Sequence, residues 1–131
     1  MKTIKMATMA LMMCLVLTSC SKEDLTKEVT YNYKYEVTGT GGDYSMTIQN
    51  TSNNTQQWSS VGNGWVYSWT QKLTVDGSGT PLENQTRWLY VSAQNNNSNG
   101  NVTVKIYRNN VVVATNTGYG GYSIATISGD Y

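Results

Sequence analysis

The 131-residue chain carries nine Lys and Arg against eight Asp and Glu, for a formal charge of +1. Its basic residues, Arg87, Lys105 and Arg108 among them, are scattered rather than clustered, which excludes nucleic acid as a partner because phosphate binding needs basic patches. The chain has no histidine and only two cysteines, Cys14 and Cys20. That composition excludes Ser/His/Asp and Cys/His nucleophilic arrangements and histidine metal sites in the domain that follows.

The first element is an export signal. Lys2 and Lys5 form the positive start, Met6 to Leu17 the apolar run, and Thr18 and Ser19 a small-residue cleavage region. The run is 12 residues long, well short of the roughly 20 that a membrane-spanning helix needs. Leu17, Thr18, Ser19 and Cys20 together spell a bacterial lipobox, which makes Cys20 the lipid-bearing first residue of the mature protein. Acyl chains on Cys20 would hold the protein to a membrane stably, since more than one buried chain is needed for durable anchoring.

The expected organisation is therefore a signal peptide over 1–19, the lipidated cysteine and a charged tether over 20–27, and one folded domain over 28–131. Both cysteines fall outside that domain, so it must fold on packing and strand pairing without a disulfide. A chain of this length buries roughly two-thirds of its unfolded surface, which is enough for one core. Ser21, Lys22, Glu23 and Asp24 resemble the lysine-plus-acidic export tract after the acylated cysteine of surface-exposed Bacteroidetes lipoproteins. That resemblance implies an outer-membrane, surface-facing address. The alternative for the tract is a plain solvated tether.

From Val29 onward the pattern is strand after strand. Val29, Tyr31, Tyr33, Tyr35 and Val37 alternate with polar residues through Thr38, the signature of a strand with one buried face. Tyr44, Met46 and Ile48 alternate likewise, and the glycines between the two runs predict a hairpin. A more polar third strand is expected near Thr55 to Val61. After Gly62, Asn63 and Gly64 turn the chain, Trp65, Tyr67, Trp69, Leu73 and Val75 mark a fourth strand, with Gln71 the one break in its face.

Asp76 to Pro81 is loop by composition. Arg87 to Gln94 predicts a fifth strand, apolar on both parities, as suits the middle of a sandwich. Val102 to Ile106 and Val111 to Thr117 pair through Asn109 and Asn110, a two-residue type I′ turn for which asparagine tolerates positive φ. Tyr122 to Ser128 is the last strand. Seven to eight short strands without helical periodicity predict an all-β, antiparallel, immunoglobulin-like β-sandwich.

Tyr35 to Gly39 (YEVTG), Leu89 to Gln94 (LYVSAQ), Gly100 to Tyr107 (GNVTVKIY) and Tyr122 to Gly129 (YSIATISG) resemble the small MmpS-type membrane proteins of mycobacteria across most of the domain. The resemblance implies an exported β-sandwich that serves as an accessory to large lipid or siderophore exporters. Two departures stand out: a lipid anchor replaces the family's transmembrane helix, and Val104 and Ile127 stand where the family has a cysteine pair. Burial of these two β-branched side chains, at about 1.5–3 kcal/mol each, would offset the lost disulfide.

The acids do not form a catalytic pair. Glu23 and Asp24 lie in the tether, Glu28 borders it, Glu36 points away from the tyrosine face, and Asp43, Asp76, Glu83 and Asp130 read as turn or terminal residues. The Asp76 loop lacks the ladder of oxygen ligands that calcium requires, so neither a metal nor a cofactor is implied, and the chain is read as a non-enzyme. The unusual stock is aromatic: ten Tyr and four Trp with no Phe. The regular alternations place Tyr31, Tyr33, Tyr35, Trp65, Tyr67 and Trp69 in the core or half-buried. Trp58, Trp88, Tyr90 and Tyr119 are the candidate binding surface. The expected function is an interaction domain with a protein partner, accessory to a transport or envelope complex. The alternative is a surface glycan-binding module.

Overall fold

A computed structural model describes residues 25–83, 85 and 88–131, so Cys20 and the Ser21 to Asp24 tract lie outside the described residues. Eight strands follow in order: β1 (Lys27–Thr38), β2 (Asp43–Gln49), β3 (Thr55–Gly62), β4 (Trp65–Val75), β5 (Trp88–Asn95), β6 (Asn101–Arg108), β7 (Val111–Tyr119) and β8 (Ile124–Asp130). They form two antiparallel four-stranded sheets, ordered β4-β1-β6-β7 and β3-β2-β5-β8. The all-β sandwich expected from the alternation is what the chain forms.

The inward face of each sheet is the apolar parity of its strands. Tyr33, Tyr35, Val37, Val102, Val104 and Ile106 from the first sheet meet Tyr44, Met46, Ile48, Leu89, Val91, Ala93, Ala125 and Ile127 from the second in one core. Val104 and Ile127 are both buried there, on opposite sheets. β5 carries apolar residues on both parities but buries only one of them. It is central, yet only Leu89, Val91, Ala93 and Asn95 are buried, while Trp88, Tyr90, Ser92 and Gln94 point outward.

The run Gly39 to Gly42 does not make a hairpin. β1 pairs with β4 and β6, whereas β2 pairs with β3 and β5, so these glycines carry the chain from one sheet to the other. Gly62, Asn63 and Gly64 do the same between β3 and β4. The resulting i to i+3 pairs, β1 with β4 and β2 with β5, interlock the sheets. The Asn109–Asn110 turn is a true hairpin, with φ of 51° and 65° at its two residues, as the type I′ turn requires. The Asn109 side chain also accepts the Asn32 backbone N–H at 2.9 Å, which fastens the turn to β1.

One side of the sandwich is closed. β7 and β8 are edge strands of different sheets that pack together: Asn116 Nδ2 donates to the Thr126 carbonyl at 2.9 Å, and a Cβ on Gly118 would lie 2.6 Å from the Ile124 carbonyl oxygen. The other side, between β3 and β4, is filled by aromatic rings.

β1 spans 12 residues, about 40 Å at the rise of an extended strand, and so defines the long axis. At its start Leu25 lies beside Gly77, and at its end gather the segments 39–42, 62–64, 96–100 and 120–123. The chain therefore enters the domain at one pole, here called proximal. The four connecting segments make up the distal pole.

Candidate binding surfaces

The distal pole is built by asparagine side chains acting as backbone surrogates. Asn95 is fully buried, and its Nδ2 donates to the Asn99 carbonyl at 2.7 Å and the Gly120 carbonyl at 3.3 Å. Asn96 Nδ2 reaches Asp43 Oδ2 and the Ser59 carbonyl, each at 3.2 Å, and its Oδ1 accepts the Ser45 hydroxyl at 2.9 Å. Asn97 donates through Nδ2 to the Gly41 carbonyl, and Asn101 exchanges bonds with Thr40. Buried polar groups of connecting segments need partners, and here short amides supply them without bulk. Gly121 shows how close the packing is, because a Cβ there would sit 2.1 Å from the Ser98 carbonyl oxygen.

On this fixed base the pole projects apolar surface. Tyr119 is 80% exposed, Tyr122 59% and Ile124 58%. Tyr122 was expected within the last strand. It stands instead in the turn before β8, at φ 58°, with its N–H bonded to the Asn97 carbonyl at 2.9 Å. A bulky residue in the left-handed region is a real outlier, held because the loops on both sides are pinned.

A second aromatic group closes the gap between β3 and β4. Trp65, Tyr67 and Trp69 run down the inner face of β4, with Tyr67 and Trp69 at a 5.7 Å ring separation. Trp69 stacks on Tyr33 at 5.3 Å. Trp58 was expected to be exposed, but it is half-buried and meets Trp65 edge-on at 4.8 Å. The polar tips are used: Trp69 Nε1 donates to Thr51 Oγ1 at 3.0 Å, and Tyr67 Oη accepts Gln56 Nε2 at 3.2 Å. These rings are core at an open seam.

The two outer faces differ in charge. On the first sheet Glu28, Lys34, Glu36, Lys72 and Lys105 lie on the outward parity, while Lys27 and Arg108 stand at strand ends on the inward one. There Glu36 accepts the Tyr107 hydroxyl at 2.6 Å and lies 3.7 Å from Lys105, so the carboxylate beside it raises the Tyr107 phenol above its ordinary range. Glu28 and Lys72 pair at 2.8 Å, which raises the Lys72 ammonium.

Among the described strand residues of the second sheet, the only charged ones are Asp43 and Asp130, at strand ends. The Ser60 hydroxyl and the Asn96 amide hold Asp43 below the usual carboxylate range. The outer face between them is a grid of neutral groups. One row across the sheet reads Gln57, Thr47, Ser92, Thr126, and the next reads Gln49, Tyr90, Ser128, with Trp88 paired to Asp130 at the end. A bulge where Ser59 and Ser60 oppose Ser45 opens a groove of about 550 Å³ over this face.

The four candidate surface residues thus divide among three places. Trp88 and Tyr90 share the neutral face, Tyr119 caps the distal pole, and Trp58 faces inward at the seam. The elements that sequence reasoning missed are Tyr122, Ile124 and the bonding roles of Asn95, Asn96, Asn97 and Asn101. The available signal was the density of Asn, Gly and Tyr in two loops.

The Asp76 loop is a turn closed on itself: Asp76 Oδ1 accepts the Ser78 hydroxyl at 2.6 Å and the Ser78 and Thr80 N–H groups at 2.9 Å. Those bonds hold its carboxyl below the ordinary range. Among the described residues no three His, Cys, Asp or Glu side chains come together as a metal site would need. No protein-family model and no curated protein matches the chain.

Proposed function

We propose that this is a lipid-anchored, non-enzymatic outer-membrane lipoprotein facing the cell surface. In this reading acyl chains on Cys20 hold it, and its β-sandwich contacts a protein partner through the distal pole, as an accessory to an envelope or transport complex. The observation that carries the reading is Tyr122: an exposed aromatic kept at a backbone angle that disfavours it, beside Tyr119, at the pole opposite the tether. The surrounding loops consist largely of Gly, Asn, Ser and Tyr. That is the composition of antibody contact loops, where rigid tyrosine rings supply area and short amides supply adaptable hydrogen bonds.

The lipobox, the Ser21 to Asp24 tract and the MmpS-type strand motifs support the address and the accessory role. The test is a photo-crosslinking residue placed in cells at Tyr119 or, as a control, at exposed Thr70 on the first sheet. Position 119 is expected to give one discrete adduct that Thr70 does not, and Tyr122→Gly should abolish it. Glycine suits φ 58°, so that variant keeps stability within about 1 kcal/mol. Equal adducts from both positions, or an adduct indifferent to Tyr122→Gly, would refute the distal pole as the contact surface.

A further inference from the structure

We propose that the outer face of the second sheet is a separate binding site for a neutral polysaccharide, laid along β5 from Trp88 to Gln94. The first support is charge. Five charged residues lie on the outward parity of the first sheet, while among the described residues this face has none between its end rows, so along the middle of the face an anionic polymer or an anionic lipid surface would find no counter-charge. A protein interface is no better match, because its core wants contiguous apolar area, and the large exposed apolar side chains of this sheet, Trp88 and Ile124, stand at opposite ends of it.

The second support is the kind of group presented. Hydroxyls and primary amides offer donors and acceptors together, which is the complement of a chain of sugar hydroxyls. Ser92, Thr47, Gln57 and Gln94 line one groove of about 550 Å³, the volume of an ordinary small-ligand site. Beyond it along the same strand stand Tyr90 and Trp88, each pairing an apolar ring with a polar tip. Trp88 is 46% exposed although it is the most costly side chain to leave in water. From Trp88 to Gln94 the platform runs about 20 Å, long enough for several sugar rings in line.

Native affinity gels of the detergent-solubilised lipoprotein test this, with amylopectin, galactomannan or xyloglucan as neutral polymers and polygalacturonate as the acidic one. At least one neutral polymer is expected to retard the protein. Trp88→Ala and Gln94→Ala should each weaken that binding at least tenfold while keeping the wild-type melting temperature within a few degrees. Gln94 is exposed, so its variant stands as the test should Trp88→Ala unfold. Tyr122→Gly is expected to leave retardation unchanged, which separates this site from the distal pole. Absence of retardation by every neutral polymer, retardation by polygalacturonate of equal strength, or undiminished binding in both face variants would each overturn the proposal.

Discussion

The absence of phenylalanine beside ten tyrosines has a structural meaning at the level of single residues. The rings of Tyr33, Tyr35 and Tyr44 fill the core while their hydroxyls close the hydrogen-bond account of its ends. Tyr35 Oη donates to the Gln49 carbonyl at 2.6 Å, Tyr33 Oη to the Tyr131 carbonyl at 3.0 Å, and Tyr44 Oη accepts the Gly42 N–H at 2.9 Å. Phenylalanine would pack as well and remove these part-buried bonds to the backbone. Tyr35→Phe is therefore expected to cost about 1–3 kcal/mol in urea unfolding, against almost nothing for Tyr119→Phe at the exposed pole. Burial also pushes the Tyr35 phenol well above its ordinary range. An unfolded tyrosine ionises near pH 10 while the folded one keeps its proton. The stability from this residue is thus complete below about pH 10 and falls by about 1.4 kcal/mol per unit above it. Unfolding followed from pH 9 to 11 should show a steeper loss in the wild type than in Tyr35→Phe.

At the scale of elements, alternation made each strand legible because a half-buried strand leaves a period-two trace in its own residues. Pairing leaves no such trace. Gly39 to Gly42 carry turn chemistry that serves a hairpin or a crossing between sheets equally well, and only the distant partner decides: Gly39 packs so closely on the Asn101 carbonyl that a Cβ would lie 2.2 Å from its oxygen. Gly39→Ala should accordingly destabilise the fold by about 1–3 kcal/mol through overpacking and increase hydrogen exchange across segments 39–42 and 96–101. Gly77→Ala, whose nearest neighbour would be 3.8 Å away, should change stability by less than about 0.5 kcal/mol. The same limit hid part of the candidate site. Trp58 sits at an even position and Val61 at an odd one, yet both face inward, because the bulge opposite Ser45 resets the parity of β3. Tyr122 reads as the start of the last strand because Gly118, Gly120 and Gly121 supply turn chemistry directly ahead of it. The hydrogen bond that holds it in the turn goes from its own N–H to the carbonyl of Asn97, 25 residues earlier in the chain. Trp88 and Tyr90 share one face and Leu89 and Val91 the other, a division that the period of their own strand dictates, whereas which pair turns outward is decided by the opposing sheet.

For the molecule as a whole, the placement of the chain entry decides what a lipid anchor could do. Leu25 joins the proximal pole beside Gly77, and the residues from Cys20 to Thr26 can reach at most about 25 Å when fully extended. The distal pole stands a further β1 length away, about 40 Å. If acyl chains on Cys20 hold the domain at the outer leaflet, the tether keeps Gly77 near the headgroups while Tyr119 and Tyr122 project into the medium. A polymer-linked maleimide several nanometres across feels that difference as a rate. With Cys20 acylated and Cys14 removed with the signal, Tyr119→Cys or Gly77→Cys would supply the one reactive thiol. On intact cells Tyr119→Cys is expected to label severalfold faster than Gly77→Cys, and the two rates should converge once the protein is extracted into detergent. Labelling of neither until the cells are lysed would place the domain inside the envelope. Equal rates on intact cells would mean that the tether does not orient the sandwich, and the distal pole would lose its claim to be the surface presented to a partner.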